Sequence, residues 1–490
     1  MGSFEVVELV VLTDKSKWML VLAGCVSFLA LAGCEQAEDL SPKFIPNKVY
    51  AYKIEYSEEL PMDTTSREID AVLGELFGTP DNPKIPKAIS ESDDFKAVLD
   101  LEKLKSACGL TAGLSSGESL YAKNCINCHG WEGSGRGPGS AGVDPYPRDF
   151  RAGVFKYKST TRLSKPLKSD LIRTVRYGLA GSGMGAYDKL TDSEIESLVE
   201  YVVYLSIRGE VERKLLDYAI AEFDLDPAED GKIDHWVVLD STAATAGTVD
   251  SSANSSAKID PEKQEVIDEV IGEVVTSWIE GEESLVEIEK PTEFPILDKT
   301  PETWEKVTTD PGLLASVTKG KELFLGATAA CSSCHGPGGL GDGQLGNYDD
   351  WTKEWTVLLE IDPKDREALI PFMLRGALPP KNIKPRNLRE LAFRGGRTPE
   401  DIYRRVRHGI AGAPMSAITP VASADEAGLT ETDLWHLVNY VLSMPVEPKP
   451  WPAAPVATGQ PEAEGESKSE VSETSETAAV GELQGSSSAG

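Results

Sequence analysis

The pattern C-x-x-C-H occurs twice in this chain, as Cys125-Ile-Asn-Cys128-His129 and as Cys331-Ser-Ser-Cys334-His335. At the chain's own Cys and His frequencies, one copy is expected by chance on the order of 10⁻³ times. Two thiols three positions apart can reach both vinyl groups of one haem, and the adjacent imidazole then lies under the iron. Structural zinc would need four ligands per site, and each cluster supplies three with no second Cys or His pair nearby. A thioredoxin-like redox pair would want a βαβ setting, which the surrounding sequence lacks. The expectation is two covalently bound haem c groups, with the chain folded around each. Of the three remaining cysteines, Cys25 and Cys34 sit in an N-terminal apolar run. Cys108 has no evident partner and reads as a buried free thiol.

A second repeat lies downstream of the first. "RYGLAGSGMGAY" begins at Arg176 and "RHGIAGAPMSAI" at Arg407, and in each a methionine follows the arginine by eight residues. A repeated glycine-rich loop that presents one soft side chain is a candidate ligand loop. Each copy is preceded by a Pro-Arg pair, Pro147-Arg148 and Pro385-Arg386, and followed by a helix start, Thr191-x-x-Glu194 and Thr430-x-x-Asp433. Apolar residues then recur at helical spacing: Ile195, Leu198, Val199 and Val202 in one, Leu434, Leu437, Val438 and Val441 in the other. This is an internal duplication of a whole domain rather than a solenoid.

With these residues in hand, both modules resemble the class I cytochrome c family, over about 115–207 and 317–444. The resemblance implies an all-α fold, a proximal histidine from each C-x-x-C-H, and a distal methionine from a loop before the last helix. It pairs His129 with Met184 and His335 with Met415. A thioether is a soft neutral donor that favours reduced iron. Tyr177 aligns with His408, which leaves His408 as an alternative ligand in the second module. The family usually orients the proximal imidazole through a backbone carbonyl. Pro138 is a candidate acceptor in the first copy, but "GLGDGQLG" has no proline there. Arg148 and Arg386 are candidates to pair with haem propionates, solvated surface being the alternative. His129 to Pro147 spans 18 residues and His335 to Pro385 spans 50. The excess reads as cover for a haem edge, a partner surface or a loop elaboration.

Charge divides the chain. Its net charge is −31, which argues against nucleic acid as a partner. Residues 115–207 hold 12 Lys and Arg against 10 Asp and Glu, and residues 317–444 hold 15 against 16. Two nearly neutral modules are thus expected on acidic connectors. Residues 1–33 read as a lipoprotein signal: Lys15 and Lys17, an apolar run, then Leu31-Ala32-Gly33 before Cys34, the candidate lipidation site. The remaining segments are an extension (34–114), an acidic linker with helices (208–316) and a disordered tail (445–490). Within the linker, 262–280 is expected as one amphipathic helix with Val266, Val270, Val274 and Trp278 on a face.

The resemblance implies a lipid-tethered, periplasmic carrier of single electrons between membrane redox complexes, anchored to the bilayer through Cys34 and catalysing no reaction of its own. Its rivals are a di-haem peroxidase, which would need an open iron position, and a fixed subunit of an oxidase or quinol-oxidising complex. The segment from Arg148 to Arg176 holds nine cations against Asp149 and Asp170. It is expected to meet either an acidic redox partner or the chain's own anions.

Overall fold

The computed structural model describes residues 42–110, 119–225, 233–238, 258–423 and 425–448. The leader with Cys34, the low-complexity stretch 240–257 and the tail beyond 448 lie outside the described residues. Ten helices of seven residues or more are labelled in chain order: α1 Lys48–Glu58, α2 Asp63–Phe77, α3 Leu101–Ala107, α4 Lys168–Tyr177, α5 Asp192–Glu222, α6 Gln264–Glu283, α7 Pro311–Leu325, α8 Arg366–Leu374, α9 Pro399–His408 and α10 Glu431–Ser443. Named strands among the described residues form two antiparallel pairs, Gly78–Thr79 with Asn82–Pro83 and Val237–Val238 with Lys258–Ile259. The architecture is all-α, and no described helix is long and apolar enough to cross a membrane.

The first unit is organised by α5. Thr191 caps it: the Glu194 amide donates to Thr191 Oγ1 at 3.3 Å, and the Thr191 amide donates back to Glu194 Oε2 at 2.8 Å. The expected stripe of Ile195, Leu198, Val199 and Val202 is buried. So are Tyr201, Val203, Tyr204, Leu205 and Ile207, and a helix that is apolar all round has to be covered all round. Helices α2, α3, α4 and α6 supply that cover. Polar ties fix the added helices. The Asn47 amide donates to buried Glu212 at 2.5 Å, and the Tyr50 hydroxyl to Asp217 at 2.8 Å. The fully buried Trp236 donates its amide to Glu68 at 2.9 Å. On α6, Val270, Val274 and Trp278 are buried together with Ile267, Ile271 and Val275. One core therefore runs from Phe44 to Trp278, and the sequence boundaries at 114/115 and 207/208 cut through it. Cys108 is buried there, its thiol pushed up to about 12 by burial.

The second unit is built on α7 packed across α10. The crossing is close at Gly320, where a Cβ would meet the His436 carbonyl oxygen at 2.0 Å. Thr430 and Asp433 cap α10 as Thr191 and Glu194 cap α5. The segment expected to link the modules enters this core. Trp435 Nε1 donates to the Glu289 carbonyl at 3.0 Å, and Asn439 Nδ2 to that of Pro295 at 2.9 Å. The second module's fold thus begins well before residue 317.

The excess between His335 and Pro385 has its own small core of Trp355, Ile361, Leu369, Phe372 and Ala377, joined by Val49 from α1. Phe372 meets Tyr52 edge-on at 4.8 Å, and the Arg375 guanidinium stacks over Tyr52 at 3.7 Å. Arg213 of α5 pairs with Glu354. An insertion in the second module and a helix of the N-terminal segment, neither carrying a motif, clamp the two units together.

Candidate haem sites

The proximal frames match. Both C-x-x-C-H segments form a single helical turn. One cysteine of each pair, Cys125 or Cys331, packs against the adjoining core. The Gly135 amide donates to the His129 carbonyl at 3.0 Å, and the Gly341 amide to that of His335 at 2.8 Å. Cys128 and Cys334 accept in the same way from Gly137 and Gly343, at 3.1 and 3.2 Å.

Each proximal imidazole is oriented from its Nδ1. His129 lies 3.0 Å from the carbonyl oxygen of Arg148, and His335 lies 3.1 Å from that of Arg386. A carbonyl can only accept, so Nδ1 carries the proton and Nε2 keeps its lone pair for a metal. Pro138 is not the acceptor; the residue after Pro147 is, and the residue after Pro385 plays the same part in the second unit. Gly135 and Gly341 make this possible, with φ of +71° and +78°. A Cβ there would lie 2.5 Å from the Pro147 oxygen and 2.4 Å from the Pro385 oxygen. Burial lowers both histidines, His129 to about 4, and so favours the neutral, ligating form. His129 also stacks on Phe150 at 4.5 Å.

The distal loops match as closely. Helices α4 and α9 end at Gly178 and Gly409, with φ of +64° and +65°. The Leu179 amide donates to the Met184 carbonyl at 3.0 Å, and the Ile410 amide to that of Met415 at 3.0 Å. Met184 and Met415 are both half-buried. In the first unit the Tyr187 hydroxyl donates to the Asn124 carbonyl at 2.7 Å, tying the methionine loop to the residue before Cys125. Tyr177 is 70% exposed, whereas its counterpart His408 lines a groove between the units.

That groove gathers cations. Lys156, Lys158, Arg162, Arg173, Arg404 and Arg405 line it with Asp401. Burial pushes Lys156 down to about 7 and Arg405 to about 10. Arg148, beside it, is pushed by burial to about 10 and stacks on Trp351 of the insertion at 3.7 Å. The Nε atoms of Arg386, Arg394 and Arg404 are buried and have no hydrogen-bond partner. Each of these half-buried side chains, whose other nitrogens bond the Gly181 and Ala392 carbonyls and Asp401, thus keeps one orphaned donor that an anion such as a haem carboxylate would fit. The cationic run 148–176 is consequently not an open face. Arg173 pairs with Asp401 at 2.6 Å, Lys168 with Glu200 at 2.9 Å, and Lys165 with Glu210.

Residues 112–202 match the family model for cytochrome c oxidase, cbb3-type, subunit III. Residues 317–445 match the model for cytochrome c. The chain thus carries two cytochrome c family domains in tandem. Such domains bind haem c covalently and transfer electrons through it. No curated protein matches the chain. Among solved structures, a chain of the Kuenenia stuttgartiensis reducing HAO-like protein complex aligns with 66% of this chain and 93% of its own, at 21% identity and a TM-score of 0.36.

Proposed function

We propose that this protein is a di-haem c-type cytochrome that passes single electrons between membrane redox complexes and transforms no substrate of its own. The observation that carries the reading is the duplicated frame: one Nδ1-anchored histidine and one methionine loop per unit, built with the same hydrogen bonds. Cys125 and Cys128 would hold one haem and Cys331 and Cys334 the other, with His129 and Met184, and His335 and Met415, as the axial pairs. A bound haem supplies a one-electron Fe(III)/Fe(II) couple, which methionine ligation shifts toward the reduced form. The chain's part is to fix the imidazole tautomer, exclude water and offer guanidinium groups to the propionates. Arg148 and Arg386 serve there as well as at the histidines. Tethering through a lipidated Cys34, outside the cytoplasm, belongs to the same proposal and rests on the leader sequence.

A second reading is a fixed cytochrome subunit of an oxidase-like complex, favoured by the match of the first domain to a subunit III model. Recovery of the protein in constant ratio with such a complex from detergent-solubilised membranes would select it over a shuttle. Acid–acetone extraction followed by haem staining on a denaturing gel tests attachment: both haems stay with the chain, and colour lost to the solvent would refute thioether bonding. Two methionine-closed irons predict negligible hydrogen peroxide consumption. Rapid consumption by the folded protein, with a high-spin signal, would replace the carrier by a peroxidase.

A further inference from the structure

The seam carries a reciprocity beyond the clustering of cations. Arg162, from the first unit, donates through Nη1 to the carbonyl of Met415 at 2.8 Å and to that of Ile410 at 3.1 Å. Arg394 and Arg386, from the second unit, donate to the carbonyl of Gly181 at 2.6 and 3.4 Å. Each methionine loop is therefore hydrogen-bonded by guanidinium groups of the other unit. The helices that feed the loops, α4 and α9, are themselves joined by Arg173 and Asp401.

The two attachments differ in reach. The carbonyl of Met415 is held by the Ile410 amide within its loop and by Arg162 from across the seam. Gly181 stands three residues before Met184, so its tether restrains the approach to the methionine rather than the methionine itself. Ala411 and Ala413 of the second loop are buried and Gly412 lies against Trp351, so the loop is seated at the seam, and hydrogen bonds to charged donors are stronger than neutral ones. The restraint should be greatest where it falls on the ligand residue.

We propose that Arg162, and Arg394 with Arg386, are positioning residues that retain the axial methionine of the opposite unit. Methionine ligation at each haem then depends on the docking of the two units, and the second site depends on it more. This rests on reading Met184 and Met415 as haem ligands.

The test uses the full-length, haem-loaded, oxidised protein, with imidazole as a competing iron ligand and the weak sulfur-to-iron absorption as readout. Met184→Ala and Met415→Ala assign the two halves of that absorption. In Arg162→Ala the Met415 half should yield to about tenfold less imidazole, the change that one lost charge-assisted hydrogen bond produces. The Met184 half should stay in place. Arg394→Ala, which removes the shorter of the two bonds to Gly181, should shift the Met184 half alone, and by less. Arg162→Lys, which keeps the charge and a donor, should restore part of the resistance. Equal shifts of both halves, the mark of a general loosening, would overturn the proposal, as would no shift in either variant. Should Arg162→Ala fail to fold, Arg162→Gln is measured against the same two criteria. If neither methionine variant alters the absorption, the ligation reading has failed. If both do and the arginine variants do nothing, the restraint alone has failed.

Discussion

The two units agree where a haem would be held and disagree in what surrounds it. The histidine anchor, the glycine against the prolyl carbonyl and the methionine turn recur with hydrogen-bond lengths within 0.2 Å of one another. Around this shared frame, the first unit is wrapped by helices from both flanks, while the second carries an insertion that reaches out to α1. Ligand geometry tolerates little change, because a shift of a few tenths of an ångström at the anchor reorients the imidazole. The covering layers are free to differ, and it is their difference that locks the units face to face.

The largest effect should come from breaking the shared frame. Cys331→Ser/Cys334→Ser should remove about half of the covalent haem, one site of two, as should Cys125→Ser/Cys128→Ser. Haem-stain intensity per polypeptide reads this directly. Unequal losses would mean that one unit cannot hold its haem without the other, and would break the equivalence.

The clamp comes next. Phe372 is fully buried between the insertion and Tyr52, so Phe372→Ala should destabilise by about 3–5 kcal/mol. Because that core is separate from the other two, the loss should appear in urea unfolding as an early transition that releases the second unit. A single transition with its midpoint unmoved would show that the insertion is ornamental.

Gly135→Ala and Gly341→Ala sharpen the comparison further. Each adds a Cβ within 2.5 Å of a prolyl carbonyl at positive φ, a strain of roughly 1–3 kcal/mol. Both should move the arginine carbonyl off Nδ1 and lower the unfolding midpoint by similar amounts. A loss in one unit alone would mean that the two anchors carry unequal load.

What the sequence revealed follows the same division. The histidines, the cysteines and the methionine loops lie in short local patterns, and chemistry fixes their spacing. The local pattern points to Pro138 in the first copy and to nothing in the second, because the true Nδ1 acceptor, at Arg148 or Arg386, arrives through chain closure over 18 residues in one copy and 50 in the other. The wrapping of α5 did leave a trace. Tyr201, Val203, Tyr204, Leu205 and Ile207 are too apolar for a helix with one wet face, and they announce a second covering layer. Nothing local says that the layer comes from residues 42–110 and from the helix at 264–283. The cations of 148–176 were visible as charge, but charge alone does not say what lies over it.

That last point sets the smallest expected effect. Were 148–176 an open docking face, neutralising two of its lysines would flatten the salt dependence of electron exchange with an acidic partner. Lys156 and Lys158 instead line the seam, and Lys158 donates to the Ser164 carbonyl within its own unit. Lys156→Gln/Lys158→Gln should therefore change the exchange rate by less than about twofold across ~0.01–0.15 M salt, a range over which screening shortens from ~30 to ~8 Å. The haem spectrum serves as the control, since a disturbed seam would alter it before it altered any encounter rate. A marked loss of salt dependence with that spectrum intact would show that these lysines meet the partner after all. The units would then have to part in solution, and the closed seam would be only one state of the molecule.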